Sequence, residues 1–312
     1  MTDRGNMDRP LEAAYVGIGS TDPEALAHWL GDVVGLMPGE PPRGAHSAWR
    51  VDGKAHRLWV EAAARDDALA LGFEATSAAR YSATLTRLER AGAALEPMTA
   101  ETCALRRVRS GVAVTPPWGV RVEVVQGLAD AATPYASAAH PRGFMTAGNG
   151  FGHVVLMAAD AEEYAASCQF ATEALGLSLS DWLRLPRPEG DMHASFFHCN
   201  PRHHSVAIVH VPGARHERRL NHVNFEVASV VDVGRAYERF LNARATLANT
   251  IGQHANDGMV SFYAVSPGGW RIEIGAAGRT IGADWSDVRE YDRISDWGHQ
   301  PPAALAAMLA AK

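Results

Sequence analysis

The chain has 312 residues, of which 47% are hydrophobic and 21% charged, and its formal net charge is −6. This is the composition of a globular protein long enough for two domains, and it excludes a disordered or fibrous chain. No run of Lys or Arg offers an electrostatic footprint for nucleic acid, and no apolar run reaches the roughly 18 residues of a membrane span.

The first segment, Met1–Pro10, is polar and lacks the apolar stretch of a secretory signal. Cys103, Cys168 and Cys199 stand far apart, which suits reduced thiols and a cytoplasmic location. Cys199 is expected to be a buried, inert thiol.

Along the chain, Ala14–Ile18 reads as a strand, followed by Asp22 and a helical run that ends at Gly35-Leu36. Leu69–Ala75 reads as a second strand, leading into Tyr81, Leu85 and Leu88 at helical spacing. Pro117–Glu123 closes this half with a turn and an alternating strand. A stretch rich in Pro, Ala and Gly follows, from about Gly127 to Gly148.

The same order then recurs. Gly152–Leu156 precedes Asp160 and a run ending at Gly176-Leu177. Asn221–Val227 leads into Val233, Tyr237, Phe240 and Leu241, and Pro267–Glu273 ends the copy. Three matches in order define an internal repeat. Each half contains two strand–helix–strands units, which predicts an α+β fold with domains at 1–135 and 136–312.

Three strands of the second half place an ionisable side chain on one face of an otherwise apolar strand. Period-2 geometry separates His153 from Val154, His222 from Val223 and Phe225, and Glu273 from Ile272 and Ile274. Alone, each reads as a polar residue on a half-exposed strand. Together, two His and one carboxylate form the facial triad that leaves metal positions open and suits non-haem Fe(II) oxygen chemistry. The first half has Tyr15, Ala70 and Glu123 at the matching positions, so the fold does not require the two histidines.

Four segments carry a resemblance: Gly152–Leu156, Cys199–His204, Asn221–Val227 and His254–Tyr263, the last running on through Ser266–Gly269 to Glu273. The chain resembles the type I extradiol ring-cleavage dioxygenases of the vicinal oxygen chelate superfamily, the 2,3-dihydroxybiphenyl 1,2-dioxygenases among them, from about Leu11 to His299. That resemblance implies two tandem vicinal-oxygen-chelate domains, each of two βαβββ modules forming a curved, open barrel-like sheet. It implies extradiol cleavage of a catechol by O2 in aromatic catabolism, the catechol being bicyclic or 3-substituted. By the resemblance, His153, His222 and Glu273 hold Fe(II), with Mn(II) as the alternative metal. His204 matches the acid/base, while His254 and Tyr263 match the residues that bond the substrate oxygens. Asn256 and Asp257 match substrate-side positions, and the relatives commonly form homo-oligomers.

Trp182 and Phe196 are candidates for an aromatic pocket wall. Strand alternation allows only one of His203 and His204 to face the metal. The stretch from His204 to His222 is longer than in the relatives, and Pro201 and Gly258 replace polar residues. The rival readings on the same fold are a glyoxalase-like isomerase or lyase and a metal-free binding module.

Overall fold

In both halves of the chain the helices start on a side chain that accepts from the first turn. Asp22 accepts from the Ala25 amide, Ser77 from Arg80, Asp160 from Glu163 and Ser229 from Asp232. Each cap satisfies an amide that lacks an intrahelical partner, a contribution of about 1 kcal/mol. The repeated aspartates of the sequence are therefore helix starts. The repeated glycines are helix ends: Gly35 and Gly176 adopt φ of 79° and 74°, which only glycine takes without strain, and each follows a π-helical turn.

The computed structural model describes residues 11–41, 44–214, 216–282 and 285–303, so Met1–Pro10 lies outside it. The first half contains β1 (Leu11–Ser20), α1 (Pro23–His28), β2 (Met37–Pro38), β3 (Ser47–Arg50) and β4 (Leu58–Ala62). It continues with β5 (Asp67–Ala75), α2 (Ala78–Arg90), β6 (Glu96–Pro97), α3 (Ala100–Leu105), β7 (Ser110–Val114) and β8 (Arg121–Gln126). The second half contains β9 (His153–Met157), α4 (Ala161–Gln169), β10 (Ser178–Leu185), β11 (Met192–His198) and β12 (Val206–His210). After these come β13 (Leu220–Glu226), α5 (Val230–Asn242), β14 (Leu247–His254), β15 (Val260–Val265) and β16 (Arg271–Ala276). Two short strands, β17 (Glu290–Tyr291) and β18 (Ser295–Trp297), end the described chain.

The repeat is exact in topology. One sheet runs β2-β3-β4-β1-β5-β8-β7-β6, and the other runs β10-β11-β12-β9-β13-β16-β15-β14 with β17 and β18 added at its two edges. The first and last strands of each module pair in parallel, as β1 with β4 and β9 with β12, so both sheets are mixed. This is the curved βαβββ architecture expected from the sequence, with one extra short helix, α3, in the first half.

The tail closes the second sheet. Strand β17 pairs with β10 at one edge while β18 pairs with β14 at the other, although only residues 292–294 separate them. So short a link between opposite edges requires the sheet to curl until its edges nearly meet.

Each sheet puts one face into a shared apolar cluster that includes Val16, Ile18, Trp29, Leu88, Val223, Phe225, Phe240 and Ile272. On α5, Val233, Ala236 and Phe240 are buried but Leu241 is 50% exposed, one step past the buried stripe. The expectation that Leu241 belongs to the apolar face is thereby corrected. Polar contacts tie the halves together: the Asp67 carboxylate accepts from the Arg219 and Leu220 amides, and the Arg239 guanidinium donates to the Val33 and Val34 carbonyls. No helix among the described residues is long and apolar enough to cross a membrane.

His56 gives this fold a pH dependence away from the second-half site. Its ring is buried, and neither nitrogen has a partner. Burial, then the charges of Arg106, Arg57 and Arg107, push its pKa down to about 3. In the unfolded chain the value is about 6.5. Unfolding therefore takes up a proton below that pH, so the contribution is complete above pH 6.5 and declines as pH falls toward 3. Between pH 6 and 4.5 the wild type is expected to lose about 2 kcal/mol more than His56→Met, measured by urea unfolding. Parallel pH profiles for the two proteins would contradict this assignment.

Candidate metal centre

The candidate ligands lie on three neighbouring strands, β9, β13 and β16. Val154, Val223, Phe225, Ile272 and Ile274 enter the shared apolar cluster, so the pleat turns His153, His222 and Glu273 to the concave side. Strand register then brings them together: Asn224 of β13 stands opposite both His153 of β9 and Glu273 of β16.

The donor atoms converge. His153 Nε2 lies 3.3 Å from His222 Nε2 and 3.1 Å from Glu273 Oε2, which is 3.5 Å from His222 Nε2. Donors at about 2.1 Å from one ion, at right angles, stand about 3 Å apart, so these spacings fit a single small cation. The protonation pattern fits as well. The Asn221 carboxamide oxygen sits 2.9 Å from His222 Nδ1, an acceptor that favours the Nδ1–H tautomer of a neutral ring, the form in which Nε2 can bind a metal.

Electrostatics favour the ligand forms. Burial pushes the His153 pKa down to about 4, with Glu273 acting in the opposite direction, so the ring is neutral at pH 7. Burial alone raises Glu273, but the ring nitrogens of His153, His222 and His254 outweigh it and hold the carboxyl well below its usual range.

Around this triad stand the other expected residues. The His204 ring stacks on His153 with centroids 3.8 Å apart. Burial, followed by the neighbouring His153 and His203, keeps His204 well below the usual histidine value. On the other side His254 Nε2 is 2.7 Å from Tyr263 Oη and 3.2 Å from Glu273 Oε1, and Tyr263 is the cross-strand neighbour of Glu273. Burial works against the charged form of His254, but Glu273 and Asp257 raise its pKa to about 9. Burial and Glu273 hold the Tyr263 phenol protonated.

A cavity of about 300 Å³ opens from this cluster, walled by Val155, Leu183, Met192, Ala194 and Phe196. Phe196 lies where the sequence reading put it, its ring edge-on to His204 at 4.9 Å. Trp182 does not line the cavity. The pleat of β10 turns Leu183 inward and Trp182 outward, where its indole N–H donates to Glu290 at 3.0 Å. Asn256 and Asp257 both reach the wall, but the Asn256 amide donates to Asp181 and the Asp257 carboxylate accepts from the Met259 amide.

His203 and His204 lie in the bend before β12, not in a strand, so strand alternation does not separate them. Their rings are perpendicular, at 89°, and only His204 borders the cavity. His203, His204 and Asp257 also form a compact group of potential donors, with His203 Nδ1 3.2 Å from His204 Nδ1 and His203 Nε2 bonded to Asp181 at 2.9 Å. The sequence reading assigned no role to His299, which lines the cavity with Ile294 and Ser295 and bonds Ser295 Oγ at 2.7 Å. Its only signal was proximity to the end of the resembling region.

In the first half the equivalent place is filled by its own side chains. The Tyr15 phenol donates to Glu123 at 2.6 Å, Arg106 pairs with the same carboxylate at 3.3 Å, and Ala70 supplies no donor. Glu123 Oε2 thus faces a phenol and a guanidinium, while Oε1 lies 3.4 Å from Arg121 Nε.

The chain is similar to known proteins along most of its length. Residues 132–274 match the family model Glyoxalase/Bleomycin resistance protein/Dioxygenase superfamily. The chain is 34% identical to a biphenyl-2,3-diol 1,2-dioxygenase of Paraburkholderia xenovorans (strain LB400), over 94% of this chain and 96% of the relative. It is equally similar, at 34%, to an iron-dependent extradiol dioxygenase of Rhodococcus jostii (strain RHA1), over 92% and 95%. The crystal structure of a halotolerant catechol dioxygenase superposes with a TM-score of 0.84 at 30% identity, covering 95% of this chain and 96% of that one. The chain belongs to the glyoxalase/bleomycin resistance protein/dioxygenase superfamily. Its place within that superfamily is among the extradiol dioxygenases.

Proposed function

We propose that the protein cleaves the ring of a bicyclic or 3-substituted catechol beside its diol, incorporating both atoms of O2 to yield a semialdehyde or keto acid. The observation that carries this reading is the convergence of His153, His222 and Glu273 on one face, with His204 and the His254–Tyr263 pair flanking an open cavity. His153, His222 and Glu273 are the ligands of Fe(II), with Mn(II) as the alternative. When bound, the metal supplies open positions and a redox path from catecholate to O2.

The remaining chemistry belongs to the protein. His204 Nε2, on a ring that burial keeps neutral, takes a substrate proton and returns it. Tyr263 and His254 hold a substrate oxygen and share its charge. Phe196, Leu183, Met192 and Ala194 take the apolar ring or substituent and exclude water. Residues 1–135 form the metal-free domain and 136–312 the catalytic one. Catechol and O2 are the small-molecule partners. Three free cysteines support a cytoplasmic setting, and a homo-oligomer is the assembly we infer from the family resemblance.

The test is oxygen uptake by the Fe(II)-loaded and Mn(II)-loaded protein with monocyclic and bicyclic catechols. Uptake matched by a yellow ring-fission product is expected, greatest for the bicyclic or 3-substituted substrates. Isomerisation or lysis without oxygen uptake would instead favour the glyoxalase-like alternative.

A further inference from the structure

Behind His204 lies a buried chain of polar groups that the proposed chemistry has not used. Asp181 is 0% exposed and His203 2%, in a region where an unpaired polar group would be costly. Asp181 Oδ2 is 2.9 Å from His203 Nε2, and its other oxygen, Oδ1, accepts from the Asn256 amide at 3.2 Å. On the far side of the ring, His203 Nδ1 is 3.2 Å from His204 Nδ1.

We propose that Asp181 and His203 are positioning residues that fix which nitrogen of His204 is bare. The inference rests on the reading of His204 as the proton acceptor. A carboxylate only accepts, so His203 Nε2 carries a hydrogen, and in the neutral ring Nδ1 is then bare. The hydrogen between the two rings therefore belongs to His204 Nδ1. Asp257 Oδ2, 4.0 Å from that same nitrogen, favours the same arrangement. His204 is left with a bare Nε2 on a ring that borders the cavity and stacks on His153. No proton travels along the chain; it sets the tautomer and the ring plane before substrate arrives. An imidazolium at His203 would reverse the polarity and put a hydrogen on His204 Nε2.

Asp181→Asn tests this directly. Because Asn256 donates to this position, the new amide turns its oxygen to Asn256 and its NH2 to His203 Nε2. His203 then carries its hydrogen on Nδ1 and His204 carries one on Nε2, where no base remains. With the Fe(II) protein, kcat is expected to fall about 100-fold while KM stays within about 3-fold, the pattern of a base held in the wrong tautomer. His203→Asn keeps an acceptor near the Nδ1 position and is expected to stay within about 5-fold of wild type, whereas His203→Leu falls with Asp181→Asn.

A second readout needs no turnover. In the full-length chain loaded with diamagnetic Zn(II), long-range 1H–15N spectra of labelled histidines are expected to show His203 as Nε2–H and His204 as Nδ1–H, and Asp181→Asn to invert both. A wild-type His204 protonated at Nε2, or unchanged spectra in Asp181→Asn, overturns the proposal. So does a kcat for Asp181→Asn near the wild-type value. If the wild type cleaves no catechol, the proposed function falls, while the spectra still decide the hydrogen-bond order.

Discussion

Glu273→Ala is expected to yield a folded chain that no longer retains iron through desalting and has lost catechol-dependent oxygen uptake by about 10³-fold or more. Glu273 is the one anion in the triad, and it is 1% exposed. Its Oε2 faces His153 and His222 at 3.1 and 3.5 Å, and its Oε1 faces His254 at 3.2 Å. Removing it leaves the imidazoles of His153 and His222 as the remaining members of the converging donor set, so a divalent cation entering between them loses the one carboxylate of that set. The energy lost is that of a charge in a low-dielectric pocket, several kcal/mol, which sets the scale of the rate effect. Metal content per chain and oxygen uptake after Fe(II) reconstitution measure it. A variant that keeps one iron per chain and a tenth of the activity would rule out Glu273 as a ligand.

His204→Gln is expected to behave differently: full iron content, catechol binding within a few-fold of wild type, and kcat reduced about 10³-fold. The ring is stacked at 3.8 Å on His153 but does not belong to the converging donor set, so its loss leaves the ligands in place. Glutamine preserves size and polarity and still donates toward His203. It does not, however, exchange a proton near neutral pH. Anaerobic catechol titration of the iron-loaded variant separates binding from turnover. Turnover within tenfold of wild type would transfer the proton role to another group.

Comparing the two variants also separates what a ligand does from what a neighbour does. The distinction was partly legible in the sequence. His153, His222 and Glu273 stand out because strand alternation isolates each on an apolar strand, and because the first half manages with Tyr15 and Ala70 in place of the histidines. His204 had no such local signal. It lies in a bend, and only the perpendicular packing of its ring against His203 shows which of the pair reaches the cavity. Trp182 was misplaced for a related reason: an aromatic residue suggests a pocket wall, but the facing of β10 is decided by its pairing with β11 and β17. Leu241 matched a helical spacing that continues one residue beyond the surface α5 presents to the sheet.

The amino-acid order alone determines the duplicated strand–helix–strands plan, the aspartates and glycines that begin and end the first helix of each half, and which strand residues are ionisable. These are local properties, set by backbone preference and by the alternation of side chains along a strand. Tertiary structure decides the rest. The register of β9, β13 and β16 brings three donors from positions 153, 222 and 273 within 3.5 Å. Only the curl of the sheet lets a tail of a few residues bridge its two edges and carry Ile294, Ser295 and His299 to the cavity. Register and curvature depend on contacts between distant segments, and no local pattern around a single residue encodes them. So it is with Asp181: an ordinary carboxylate in the sequence, it acquires its place behind His204 when β10 closes over the bend.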